Sequence, residues 1–149
     1  MYKSFTDISE KMIPNNCIRT NALFGGWLDY FKVGDIDNDG YTDFIVANLA
    51  PDNHSLWKNS GGTNNWLKVK LEGVQSNRAG IGSWIEISVD GSIQYRYTLC
   101  GEAFLGQNSA TEIFGLGTAT NVDYVQVTWL SGVVDTFTDV TPNQVLNIV

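Results

Sequence analysis

The sequence predicts an all-β chain: a small N-terminal unit packed on a C-terminal antiparallel β-sandwich or small barrel. Three observations carry that prediction. Short segments repeatedly alternate apolar with polar residues or concentrate β-branched and aromatic side chains, which is the period of a half-buried strand. Asp90-Gly91 and Ser131-Gly132 sit between such segments as hairpin turns. Helical patterning is nearly absent, while 15 glycines punctuate 149 residues.

Taken in order, Thr6 to Met12 offers one short helical turn capped by Asp7 or Thr6 and ended by Pro14 and Asn15-Asn16. Residues 1 to about 60 hold three or four strands around one acidic loop, with Phe44-Ile45-Val46-Ala47 as a buried strand. A composition break follows at Asn59-Ser60-Gly61-Gly62-Thr63-Asn64-Asn65, small and polar between apolar flanks. It divides the chain into residues 1–62 and 63–149. Beyond it, Trp66–Leu71, Ser83–Val89, Ser92–Leu99, Asp123–Trp129 and Val133–Thr138 read as strands.

Length and charge narrow the function. At 149 residues the chain suits one domain or two small ones and is too short for a complete propeller of four or more blades. Nine basic against 16 acidic residues give a net charge of −7, which excludes a phosphate-backbone footprint and hence nucleic acid. Hydrophobic residues at 43% and charged residues at 17% exclude general disorder. No apolar run approaches the roughly 18 residues of a membrane span, and Met1 to Asp7 lacks the apolar stretch of a signal peptide. Cys17 and Cys100 either pair or remain thiols. With one histidine, His54, read as a loop residue, and no G-x-S-x-G, no nucleophile, base and orienter set is visible. A non-enzymatic protein is expected.

The most informative stretch runs from Gly34 to Val46. Asp35, Asp37, Asp39 and Asp43 fall at positions 1, 3, 5 and 9, with Gly40 at position 6. Four carboxylates in nine residues repel one another unless a cation sits among them. A crowd of oxygens with an irregular shell suits Ca2+ better than magnesium, and Gly40 permits the turn that brings the Tyr41 carbonyl round as a further ligand. Asp, Asn and Gly also make metal-free turns, but such turns have no reason to adopt this spacing. An EF-hand is excluded, because position 12 is Val46 rather than a bidentate Glu and a strand follows instead of a helix.

These residues, with Ser55-Leu56-Trp57-Lys58-Asn59 after them, resemble the FG-GAP/VCBS-type repeat, whose copies form calcium-binding blades of β-propellers. The remainder resembles an ASPIC/UnbV domain through Asn65-Trp66-Leu67-Lys68-Val69, Ser76-Asn77-Arg78-Ala79-Gly80-Ile81-Gly82, Gln107-Asn108-Ser109, Phe114-Gly115-Leu116-Gly117, Val125 to Gly132 and Asn143-Gln144-Val145-Leu146. Ala79 and Leu130 stand where Asp and Pro are common in that family. The resemblance implies one blade-type unit before the C-terminal domain and a secreted or cell-surface protein. A single repeat cannot close a propeller, so its strand edges are expected to pack on the C-terminal domain or, second, to form a homodimer.

Of the five tryptophans, Trp66, Trp84 and Trp129 are expected in the core, while Trp27 and Trp57 flank the acidic loop and are candidates for a ligand surface. Arg78 with Asn77, and Gln107-Asn108, either line a polar recess or brace turns, and bracing explains them better. Gly80-Ile81-Gly82 and Gly115-Leu116-Gly117 read as bulges or tight bends. The expected function is a calcium-binding adhesion or recognition module whose partner is a protein or a glycan, the ion being structural. The alternative is a carbohydrate-binding or glycan-active accessory protein.

Overall fold

The computed structural model describes residues 2–5, 30–47, 55–101 and 107–149. Among them the chain forms eleven strands and no helix, so the all-β prediction holds. No helix here is long and apolar enough to cross a membrane. Thr6 to Met12, Cys17, Trp27 and His54 lie outside the described residues. The chain divides into two units: Met1–Gly62 with Gly101–Ser109, and Thr63–Cys100 with Ala110–Val149.

In the first unit, β1 (Tyr2–Phe5), β2 (Tyr30–Gly34), β3 (Asp43–Ala47) and β4 (Ser55–Asn59) form one sheet in the order β1-β4-β3-β2. β1 runs parallel to β4, and the other pairs are antiparallel. The acidic segment connects β2 to β3, whose first residue is Asp43 and whose Val46 is buried. Among the described residues β2 is an edge strand, and its Val33 N–H donates to Asn108 Oδ1 at 3.2 Å. An edge amide that would otherwise invite another strand is thereby satisfied within the unit.

The second unit contains β5 (Asn65–Leu71), β6 (Trp84–Val89), β7 (Ser92–Tyr97), β8 (Thr111–Gly117), β9 (Val122–Thr128), β10 (Val134–Val140) and β11 (Gln144–Ile148). β10-β9-β6-β7 is wholly antiparallel. β11-β5-β8 is mixed, with β11 parallel to β5. Alternate residues of both sheets meet in one apolar cluster that includes Leu67, Val69, Ile85, Ile87, Phe114, Val125 and Val127, all fully buried. Burial on that scale, about 1.5–3 kcal/mol for each large side chain, is what holds a β-sandwich together. The sheets remain open, so the barrel alternative does not apply.

The hairpin predictions hold in detail. Asp90 and Gly91 take φ of 50° and 75°, the pair of positive values a type I′ turn requires, and Val89 pairs with Ser92 across it. Gly132, at φ 88°, closes the β9–β10 turn by donating to the Trp129 carbonyl at 2.9 Å. Of the two glycine-rich segments, Gly80-Ile81-Gly82 lies in a turn and Gly115-Leu116-Gly117 lies in β8 at a bulge. Gly80 lies at φ 66° with its Cα against Leu71, and the β5–β8 register shifts where Asn65 and Trp66 meet Gly117 and Gly115.

The tryptophans divide differently from the expectation. Trp129 is buried and its indole donates to Asp135 Oδ2 at 2.6 Å. Trp84 is 48% exposed, which corrects its assignment to the core. Along β6 the inward residues are Ile85, Ile87 and Val89, so strand alternation sends Trp84 outward with Glu86 and Ser88. Trp66 is half-buried in the same phase as Lys68 and Lys70, with the Lys68 ammonium 5.0 Å from its ring centre.

Candidate metal centre

The β2–β3 loop is wound tightly by its own carboxylates. Asp35 accepts the backbone N–H of Asp39 through Oδ1 at 3.1 Å and that of Gly40 through Oδ2 at 2.6 Å. Asp39 Oδ1 accepts from the Tyr41 N–H at 2.9 Å, an Asx-type turn. Asn38 and Gly40 take φ of 61° and 95°, a conformation that Asn tolerates and Gly adopts freely. As a result, one carboxylate oxygen from each of Asp35, Asp37 and Asp39 lies within 4.8 Å of the other two.

Asp43 does a different job. Its side chain is buried, with Oδ2 accepting from Ile36 N–H and Oδ1 from Asn59 N–H, each at 2.8 Å. It therefore closes the loop onto β4 and stands outside the three-carboxylate group. Asn59, also buried, continues the closure by accepting from Gly61 N–H at 3.0 Å. Tyr41 completes it, its hydroxyl donating to the Gly62 carbonyl at 2.7 Å and its ring lying over Gly61. Sequence reasoning gave no role to Asn59; the signal was its place at the end of Ser55-Leu56-Trp57-Lys58-Asn59, within the resemblance itself.

Lys58 was also missed. Its ammonium pairs with Asp37 at the mouth of the loop. The hydrogen bond from Lys58 holds the Asp37 carboxyl below its ordinary range, and Asp37 in turn raises Lys58. Asp39 is pushed up, first by desolvation and then by repulsion from Asp37, Asp35 and Asp43, although its bond from Tyr41 N–H works the other way. The loop is thus a site of unbalanced negative charge, with one ammonium drawn to its rim.

Of the other candidate residues, Trp57 is half-buried and stacked on its cross-strand neighbour Phe44, ring centres 5.5 Å apart at 16°. Arg78 is exposed and bonded to Glu72 Oε1 through Nε at 3.1 Å and Nη2 at 2.8 Å. Asn77 holds both the N–H and the carbonyl of Ile81 at 2.7 Å, a loop brace rather than a recess. At the other end of the sandwich, Asn143 accepts from Trp66 N–H at 3.1 Å and donates to Asn65 Oδ1 at 2.7 Å. Asn65 in turn donates to the Ala119 carbonyl at 2.8 Å, so two amides tie the start of β5 to two loops.

The described residues thus form an all-β chain, with the acidic loop in one unit and the β-sandwich in the other. The model of the ASPIC and UnbV family matches residues 73–149, just over half of the chain, and the chain belongs to that family. No curated protein matches it.

Proposed function

We propose that this chain is a non-enzymatic, calcium-binding β module of the FG-GAP/VCBS type joined to its ASPIC/UnbV domain, serving adhesion or recognition at the cell surface or outside the cell. The observation that supports the reading is the cluster of one carboxylate oxygen from each of Asp35, Asp37 and Asp39 within 4.8 Å of one another. Oxygen ligands from carboxylates and carbonyls at close quarters are the donor set of a hard divalent cation. Asp35, Asp37 and Asp39 hold the ion by side chain and Tyr41 by its carbonyl, while Asp43 keeps the loop shut around them. Calcium supplies the positive charge that the carboxylates lack. Its role is structural, because an ion bound only by the folded loop stabilises it by RT ln(1 + [L]/Kd), about 2.7 kcal/mol at a hundredfold excess over Kd.

Calorimetric titration with calcium, run beside magnesium, tests this. A single calcium site is expected, weakened as pH falls toward the raised Asp39 value because the ligand must be ionised. Asp37→Ala and Asp39→Ala should each abolish it, and undiminished binding by either variant refutes the ligand set.

A further inference from the structure

The outer face of the β10-β9-β6-β7 sheet has a chemistry that the core does not explain. Pairing registers place Val134, Thr128, Trp84 and Tyr97 in one row across the sheet. The next row is Thr136, Gln126, Glu86 and Tyr95, and the third is Thr138, Tyr124, Ser88 and Ile93. Trp84 is the hub: its ring centre lies 5.1 Å from Tyr97 and 5.7 Å from Tyr95, tilted by 53° and 59°. At 48% and 51% exposure, Trp84 and Tyr95 present large ring areas to solvent.

We propose that this face is a binding platform for a neutral polysaccharide chain, with Trp84, Tyr95 and Tyr97 as its aromatic anchors. Exposed aromatic rings provide apolar area at small entropic cost and are the natural seat for the C–H face of a sugar ring. The same surface interleaves hydrogen-bonding groups with the rings. Glu86, which accepts from the Tyr124 hydroxyl at 2.7 Å, and Gln126, which donates to the Thr136 hydroxyl at 3.2 Å, lie one row from Trp84. An apolar protein surface docked here would strip water from these groups without replacing their bonds, whereas sugar hydroxyls replace them.

Charge selects among glycans. Glu86 is the one carboxylate in the three rows, which contain no Lys or Arg. A sulfated or carboxylated polymer, or an anionic lipid surface, finds no cation here and meets a carboxylate. This platform lies within the sandwich unit and does not depend on calcium in the acidic loop.

The test is calorimetric titration of the full chain with cellohexaose, xylohexaose, laminarihexaose, mannohexaose and chitohexaose, in calcium and again in EDTA. At least one should bind, and Trp84→Ala should weaken it about tenfold or more, the loss of an aromatic anchor. Trp84→Phe should retain most of the affinity, and an unchanged Tm for both variants separates lost binding from lost folding. Absence of binding to all five at millimolar concentration overturns the proposal, as does binding that Trp84→Ala leaves intact. Self-association abolished by Trp84→Ala, without sugar binding, overturns it too, by making the face a contact between copies.

Discussion

Replacing Asp43 by alanine should unlock the acidic loop even in the absence of any metal. Its two oxygens accept the Ile36 and Asn59 amides at 2.8 Å, the second in a buried setting. Truncation leaves both donors without an acceptor, and a buried orphan donor costs about 1–3 kcal/mol. Taking the lower value for the part-buried Ile36 amide and a middle one for Asn59 gives about 3 kcal/mol, a large share of the roughly 5–15 kcal/mol typical of a domain. Asp43→Asn recovers at most half of this, since one of the two N–H groups then faces an amide NH2. The assay is urea unfolding in EDTA, with amide exchange of Ile36 and Asn59 read by NMR. Both amides should lose protection, and the midpoint should fall by more than about 1 M at an m-value near 1–3 kcal/mol/M. Asp37→Ala, altering an exposed residue, should leave the midpoint essentially unchanged under the same conditions. If Asp43→Ala unfolds within about 0.5 kcal/mol of the parent while Asp37→Ala falls further, the division between loop closure and ion binding is wrong.

Three further outcomes follow from the geometry. Gly80→Ala places a Cβ 2.6 Å from Leu71 Cβ at φ 66° and should cost about 2–4 kcal/mol by thermal unfolding, whereas Gly132→Ala, with open space around it, should cost only the backbone penalty of about 1–2 kcal/mol. Asn143→Ala removes the bonds to Trp66 and Asn65 at a residue with φ 59° and should cost about 2 kcal/mol, with Asn143→Gly milder because it keeps the backbone conformation. The Asp37–Lys58 pair fixes a pH window. Asp37 is depressed below 3.8, so its contribution is present above that value and lost as pH falls through the lower folded value. Lys58 is raised above 10.5, so its contribution is present below that value and lost as pH rises through the folded value. Lys58→Met should flatten both limbs of a Tm-against-pH curve relative to the parent.

Periodicity made the sandwich legible where strands are long and alternate cleanly. β6, β7, β9 and β10 were readable because Ile85, Ile87, Val125 and Val127 recur at a spacing of two, and Asp90-Gly91 announced its turn. β8 and β11 were not read as strands. Gly115 and Gly117 interrupt the first, and the second is a short run whose partner, β5, lies in parallel more than 70 positions earlier. Such a pairing leaves no local trace. Trp84 was misplaced because its size outweighed its phase, although Ile85, Ile87 and Val89 already fixed which face points inward. In the loop, acid spacing marked the carboxylates that cluster but not that Asp43 would be buried under backbone amides. The closure by Asp43 depends on Asn59, which comes 16 positions after it and returns only when β4 pairs with β3.

Thermal melting in EDTA and then across a calcium titration, with magnesium as control, tests the central claim most directly. A calcium-specific rise of several degrees is expected, since a unit of this size gains about 4–8 °C per kcal/mol of linkage. A Tm that stays unchanged up to millimolar calcium, the concentration range of weak extracellular sites, contradicts it and leaves Asp35, Asp37 and Asp39 an acidic turn.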